Sequence, residues 1–379
     1  MPHKEIIIED DKEKQLLEEV NKKTDAEGKR LARFLAMPDL SRTNGSPLYE
    51  VVQRTLKVKG LEDFHIIKVP EIVSTDILFD LFNMPPGHPA RSKSDTYYVN
   101  DKYVLRTHDT VFWYYYLNQP EIKERIKNKQ SFGAICFGKV YRKDEIDRKH
   151  MNVFHQMGGL YLAADGKETV KPEDLKEILS KIARAIFGEE TKFRFYDHNF
   201  PYTDPSFEME AFINDNWMEM VGSGQPRKSV LKNFGLEGYH GWAFGFGLER
   251  LAMASMDLPD IRLLWSDDKR VKKQLKLGHH YKEVSIYPPI TRDISFVVSA
   301  DFVPNDYFDL IRDIGGDLVE EVQLLDKYED EKKFGKGKLS YTYRVIYRSN
   351  ERTLKTEEIE PIQAKIEAET KAQFKGVIR

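Results

Sequence analysis

The stretch CFGKVYRKDEIDRKHMNVFHQMGGL, residues 136–160, decides the fold. It alternates on the way out, breaks into a run of charge, and alternates again on the way back. Gly138, Val140 and Arg142 fall at period 2, so they share one face of a strand. Phe154, Gln156 and Gly158 share a face of the returning strand. Between them lie Lys143, Asp144, Glu145, Asp147, Arg148, Lys149 and His150, too polar for a core. The stretch therefore reads as an antiparallel hairpin with a solvated tip. An arginine fixed on such a sheet, with an aromatic ring on the return, suits a nucleotide. The guanidinium holds phosphate through paired hydrogen bonds and the ring stacks on a base. A purely structural hairpin has the same pattern, and the stretch alone does not separate the two.

Further along, residues 207–213 alternate as a strand, turn at Asn214-Asp215-Asn216, and return over 217–221. Glu208, Glu210 and Glu219 are acids in this otherwise apolar pair. Half-buried carboxylates need partners, and Mg²⁺ or an ammonium group serves; a solvent-facing side of the sheet is the other reading. The segment GWAFGFGLERLAM, residues 241–253, is a glycine-rich strand feeding a helix, with Arg250 in the first helical turn. Glycines weaken a strand unless a ligand or another backbone comes close. Arg142, Phe154 and Arg250 together can grip one nucleotide.

Toward the N-terminus, Ser46-Pro47 opens an amphipathic helix, with Ser46 as its cap. Residues 64–69 form a strand, 76–82 are helical, and Asn100-Asp101 turns a short hairpin. The aromatic run THDTVFWYYYL, residues 107–117, begins a helix that Thr107 or Asp109 caps. Residues 1–45 are charged and patchy, and read as a loosely attached N-terminal extension. Residues 46–263 form the main domain, 264–286 a polar linker, and 287–379 a compact unit in the order β-α-β-β-α-β. That order is the ferredoxin-like arrangement, which by itself carries no function.

Acids and bases nearly balance across the 379 residues, with a net charge of -3, so bulk attraction to nucleic acid is not indicated. The single cysteine, Cys136, excludes an internal disulfide framework and a thiolate zinc site, and fits a reducing compartment. No apolar run reaches the length of a membrane span, so no membrane partner is expected. The acidic start, MPHKEIIIEDDKEKQ, is neither a signal nor a transit peptide, which points to the cytoplasm. The alternative is the mature form of a mitochondrial matrix protein.

Three segments together carry a family resemblance: VYRKDEID with FHQ, GWAFGFGLERLAM, and HPAR with LRTH. They resemble phenylalanyl-tRNA synthetase, a class II aminoacyl-tRNA synthetase. FPYTDPSFEME, PDIRLLW and the C-terminal RDISF, DLIRDIGGDLVEEVQLLDKY and ERTL also match, so the resemblance covers roughly residues 46–379. Catalytic and anticodon units on one chain resemble the single-chain mitochondrial type, which implies a monomer. The resemblance implies an α+β fold: a class II antiparallel sheet flanked by helices, plus a C-terminal ferredoxin-like anticodon-binding domain. It implies ATP and Mg²⁺, and tRNA and an aromatic amino acid as partners.

By the same resemblance, Arg142 holds the α-phosphate, where charge develops during attack. Phe154 stacks on adenine and Arg250 covers its other face, reaching the γ-phosphate. His150 lies near the β- and γ-phosphates, and Asp144 near the adenine amine. Glu219 is the Mg²⁺ ligand, with Glu208 second. His108, Thr110, Gln156, Phe200, Ala243 and Gly245 match the amino-acid pocket. In the anticodon unit Arg344, Tyr347, Arg348 and Arg352 are the candidates for tRNA contact.

The pocket also departs from the family. The family usually has glutamate, which receives the substrate ammonium, where this chain has Gly158. Trp113 replaces a glutamine and Tyr202 a phenylalanine. An ammonium without its carboxylate loses a hydrogen bond worth about 1.5–3 kcal/mol. Asp109 is a candidate substitute. Yet on an extended chain with His108 and Thr110 inward, Asp109 points away. Gly158→Glu is then expected to tighten phenylalanine binding. These departures keep two alternatives beside a phenylalanine enzyme: an adenylate-forming paralogue for another aromatic acid, and a catalytically silent RNA-binding or amino-acid-sensing protein.

Overall fold

The computed structural model describes residues 3–143, 148–349 and 351–379. The chain divides into two compact units, Met1–Tyr281 and Lys282–Arg379. The strands of the first unit are β1 (Glu5–Ile7), β2 (His65–Lys68), β3 (Ile72–Ser74), β4 (Tyr98–Asn100), β5 (Tyr103–Leu105), β6 (Phe132–Tyr141), β7 (Val153–Ala164), β8 (Phe193–His198), β9 (Thr203–Ile213), β10 (Asn216–Pro226) and β11 (Tyr239–Gly247). Eight of them make one sheet in the order β1-β2-β6-β7-β11-β10-β9-β8, while β3, β5 and β4 make a small separate sheet. In the large sheet, among the described residues, only the β1–β2 and β2–β6 pairs are parallel. The rest is antiparallel, as the opening hairpin implies.

The hairpin is β6–β7. Its register pairs Cys136 with Gly158, Gly138 with Gln156 and Val140 with Phe154, so the two expected faces are one face. The opposite face carries Ile135, Phe137 and Met157 into a core built with the helices Pro47–Leu56, Pro172–Phe187 and Leu248–Met256. Ser46 does cap the first of these helices, accepting from the Leu48 N–H with Pro47 beside it. On the site face, Cys136, Leu160 and Ala243 pack under the aromatic helix Phe112–Leu117 and under Leu78 and Phe82. The sheet is thus covered on both sides, and the open part of one face becomes a cavity floor.

Two sequence expectations change here. Residues 1–45 are not a loose extension. β1 adds a strand to the large sheet, and Leu16, Val20, Leu31 and Phe34 are buried against Tyr97, Val99, Leu105 and Tyr141. The buried Lys139 donates to the carbonyls of Leu35 and Met37, both at 2.8 Å, which ties this segment to β6. Likewise, residues 264–281 belong with the first unit rather than with a free linker: Leu264 and Leu277 lie in its core, and a helix spans Lys269–Gln274.

In the second unit β12 (Ile290–Ser299), β13 (Val319–Glu329), β14 (Lys338–Tyr347) and β15 (Val377–Ile378) lie in the order β13-β14-β12-β15. The helices Pro304–Gly315 and Thr356–Phe374 cover one face, burying Tyr307, Ile311, Ile359 and Ile366 against Phe296, Tyr343 and Tyr347. This is the β-α-β-β-α-β arrangement read from the sequence.

Candidate active site

The floor of the cavity is a row across five strands. Cys136 pairs with Gly158, Gly158 with Gly245, Gly245 with Gly222, and Gly222 with Glu208. Three glycines in a line strip the side chains from the middle of the sheet. Residues from neighbouring loops settle into the space. A Cβ on Gly158 would lie 2.4 Å from Asp109 Oδ2, and one on Gly222 would lie 2.9 Å from Phe200 Cζ. The resulting cavity measures about 470 Å³, the size of a small-ligand pocket.

Most of the expected pocket residues meet there. His108, Thr110, Trp113, Gln156, Phe200, Tyr202, Ala243 and Gly245 all line the cavity, with Arg142, Glu208 and Glu219. Gly158 lies beneath Asp109 rather than at the surface of the cavity. Trp113 is 1% exposed and packs on Phe82 and Phe234, so it is a wall rather than a ring presented to a ligand. Phe200 and Tyr202 stack nearly parallel, with centroids 5.8 Å apart.

Part of the cavity lining suits an anionic group. The Arg142 guanidinium lies 5.3 Å over the Phe154 ring, and its Nε donates to the Thr107 carbonyl at 2.9 Å. Those two contacts fix its direction. Arg250 Nη1 reaches Glu219 Oε1 at 3.0 Å, and His198 Nδ1 lies 3.3 Å from Glu208 Oε1. Arg250 and Glu219 are both half-exposed, and such surface pairs contribute about 0–1 kcal/mol, so a phosphate or a cation can readily separate them. Among the described residues no group of three or more His, Cys, Asp or Glu is arranged to hold a metal. Two carboxylates at the cavity edge still fit Mg²⁺, which commonly takes one or two carboxylates plus substrate phosphates and water. His150 sits on the exposed loop and is not part of the cavity lining. Asp144 lies outside the described residues.

The same cavity holds a residue that the alternation rule sent the wrong way. Asp109 is 3% exposed and lines the cavity with His108 and Thr110. It begins a 3-10 turn, Asp109–Val111, so the extended period of 2 stops at His108. Neither Thr107 nor Asp109 caps the aromatic helix, whose start has no side-chain cap. The Asp109 N–H instead donates to Gln156 Oε1 at 3.1 Å, and among the described residues Asp109 Oδ2 has no hydrogen-bond partner. Burial pushes its carboxyl up to about 7, against the opposing pull of Arg106 and Arg142. Burial, with Arg142 nearby, pushes His108 down to about 3.

Sequence reasoning also missed the pin behind the site. His155, between Phe154 and Gln156, is fully buried; Leu40 N–H donates to its Nε2 at 2.9 Å, so the ring proton sits on Nδ1 and donates to Glu249 Oε1 at 2.7 Å. Both Glu249 oxygens also accept from the His155 backbone N–H. The sequence shows only an acid, Glu249, in the first turn of the helix after the glycine strand.

The tRNA candidates in the second unit fare unevenly. Tyr347 is fully buried and its hydroxyl donates to Gln363 Oε1 at 3.1 Å, so it is not available to stack on a base. The Arg348 side chain is 13% exposed, pairs with Glu320 and donates to the Tyr287 carbonyl. Arg344 and Arg352 are more exposed and pair with Asp293 and Glu358.

Residues 35–275 match the family described as tRNA synthetases class II core domain (F), and residues 285–379 match the ferredoxin-fold anticodon binding domain. Fold and family together define a class II synthetase core joined to an anticodon-binding module. The chain is 40% identical over 319 residues to the chloroplastic/mitochondrial phenylalanine--tRNA ligase of Arabidopsis thaliana, covering 81% of this chain and 71% of that protein. It is 35% identical over 347 residues to the mitochondrial phenylalanine--tRNA ligase of Mus musculus, covering 82% and 74%. It is 35% identical over 258 residues to a phenylalanine--tRNA ligase alpha subunit of Clostridium perfringens, covering 63% and 72%. The chain belongs to the phenylalanine--tRNA ligase family.

Proposed function

We propose that this protein joins phenylalanine to its tRNA at the expense of ATP, with the cavity over the glycine row as the active site. In the first step the phenylalanine carboxylate attacks the α-phosphorus of ATP and pyrophosphate leaves. In the second, a hydroxyl of the terminal ribose of tRNA takes the acyl group and AMP leaves. No side chain need act as nucleophile; catalysis is positioning and charge neutralisation. Arg142 faces the α-phosphate, Phe154 and Arg250 hold the adenine between them, and Arg250 extends to the γ-phosphate. Glu219, with Glu208, would hold Mg²⁺, which would neutralise phosphate charge, and His150 is the loop residue assigned to the β- and γ-phosphates. Phe200, Tyr202, Ala243 and Gly245 receive the aromatic side chain, with Trp113 closing the wall behind them.

The observation that carries this reading is the mixed lining of one cavity. An arginine clamped on an aromatic ring shares it with the stacked rings of Phe200 and Tyr202 and with Ala243 and Gly245. The second unit takes the anticodon, with Arg344 and Arg352 as the exposed cations and Tyr347 no longer a candidate. The relatives matching most of the chain carry mitochondrial or chloroplastic names, which favours the mitochondrial-type alternative over the cytoplasmic expectation. A monomer is the proposed state, and sedimentation equilibrium reads it directly.

The test is ATP–pyrophosphate exchange over a panel of aromatic amino acids and their des-amino analogues, followed by charging of phenylalanine tRNA. Phenylalanine should win and should be transferred. Preference for tyrosine or a des-amino acid would move the protein to the paralogue reading. Absence of exchange with every member would leave the silent, RNA-binding reading.

A further inference from the structure

The geometry points to Asp109 as the residue that binds the α-ammonium group of the amino-acid substrate, a role moved from strand β7 to the loop before the aromatic helix. The inference rests on the reading of the cavity as a phenylalanine site. Its observations are local. Asp109 lies directly over Gly158: a Cβ there would meet Asp109 Oδ2 at 2.4 Å, Cγ at 2.9 Å and Oδ1 at 3.1 Å. Its Oδ1 also lies 3.6 Å from the position of a Cβ on Gly245, so the carboxylate spans two adjacent strands of the floor. A glutamate at 158 and an aspartate at 109 therefore occupy the same space, and only one can be present.

The carboxylate is also incomplete. Oδ2 is buried without a hydrogen-bond partner among the described residues, on a residue that lines the cavity. A buried acceptor without a partner costs about 1–3 kcal/mol, and an incoming ammonium supplies the missing donor. The Asp109 N–H is held by Gln156 Oε1, which sets the direction of the loop. Gln156 thus acts as a positioning residue. The competing structural explanation is that Asp109 only balances the buried cation of Arg106. Arg106 has other acidic neighbours in Glu71 and Asp39, so its charge does not depend on Asp109 alone.

This placement reverses the expectation for Gly158→Glu. That substitution alone drives a Cβ into Asp109 and sets a second carboxylate beside the first, so it should weaken phenylalanine binding.

The deciding experiment uses the full chain and three ligands in pyrophosphate exchange. They are phenylalanine, phenylalaninol (ammonium without carboxylate) and 3-phenylpropanoate (carboxylate without ammonium), the last two as inhibitors. In Asp109→Asn the KM for phenylalanine and the Ki for phenylalaninol should rise roughly 10–150-fold, while the Ki for 3-phenylpropanoate stays level or falls. Unchanged values for the first two ligands overturn the proposal, as does an equal loss for all three, which marks a structural role. If Asp109→Asn does not fold, the double variant Asp109→Thr, Gly158→Glu moves the carboxylate to the strand. Near-wild-type preference for phenylalaninol over 3-phenylpropanoate in that variant supports the proposal, and loss of the preference overturns it. A wild-type protein that fails to activate phenylalanine removes the functional reading and this inference together. Wild-type activity with an unresponsive Asp109 variant removes the inference alone.

Discussion

At the scale of single residues, Asp109 gives the site a pH dependence. Its carboxyl is pushed up to about 7 by burial. The groups facing it do not titrate nearby: His108 is pushed down to about 3, Cys136 up to about 12, Tyr202 is raised, and Arg106 and Arg142 stay charged. An ammonium needs the ionised acid. Below about pH 7 a proton must leave before phenylalanine binds, so its KM should rise by roughly tenfold for each pH unit lost. Exchange kinetics from acid to neutral pH measure this, and Asp109→Asn should flatten the profile. The sign for stability is opposite. The unfolded carboxyl releases its proton near ~3.9, the folded one near 7, so the native state binds the proton more tightly between them. The unliganded protein should therefore lose stability as pH rises through that window, and the variant should not.

Arg142 makes the second residue-scale prediction. Its Nε is fixed by Thr107 and its plane by Phe154, so Arg142→Ala removes an aimed charge rather than a loose one. The kcat for exchange should fall by roughly 10²–10³-fold, with the circular dichroism melt little changed. Exchange at the wild-type rate would withdraw Arg142 from the reaction.

At the scale of elements, the pin between β7 and the helix Leu248–Met256 can be removed directly. Glu249 satisfies the His155 ring and backbone N–H, and both side chains are almost wholly buried. Glu249→Ala leaves those donors without acceptors and should cost about 3 kcal/mol, read as a lower denaturant midpoint. An unshifted midpoint would mean that water replaces the carboxylate. Elements were also where the sequence was most readable. Alternation in β6 and β7 disclosed the hairpin, and Ser46-Pro47 marked a helix start that the backbone honours. Local rules failed where partners lie far away in sequence. Residues 1–45 read as a loose extension because Tyr97 and Tyr141, which complete the core around Leu16 and Phe34, lie far along the chain. Asp109 was misdirected by a strand period that stops one residue before it. Tyr347 was a different error: Tyr341, Tyr343, Val345 and Tyr347 at period 2 already describe a core face, and all four are buried. The glycine row was legible only as an anomaly. What the glycines make room for depends on loops from residues 109 and 200.

At the scale of the whole molecule, each unit has its own hydrophobic core. Residues 282–379 should therefore fold alone with a cooperative thermal transition. Residues 1–281 should retain pyrophosphate exchange with phenylalanine. Charging of tRNA by that fragment should fall by roughly 10²-fold or more, because the second contact no longer raises the effective concentration of the first. The measurement is kcat/KM for exchange and for charging, side by side. If charging survives the cut, the second unit contributes little to tRNA capture. A non-cooperative melt of residues 282–379 would mean that its core needs the rest of the chain.

The shared space above Gly158 also bears on history. Because a side chain at 158 and the acid at 109 exclude one another, the two positions should be coupled: the effect of each substitution on binding should reverse with the state of the other. An ancestor that exchanged one acid for the other passed through an intermediate with either no acid in the pocket or two in collision. A route in which glycine comes first avoids the collision and passes through a pocket with no acid. Chains of this lineage should accordingly carry Asp109 only together with glycine at 158, and ancestral reconstruction can order the two events.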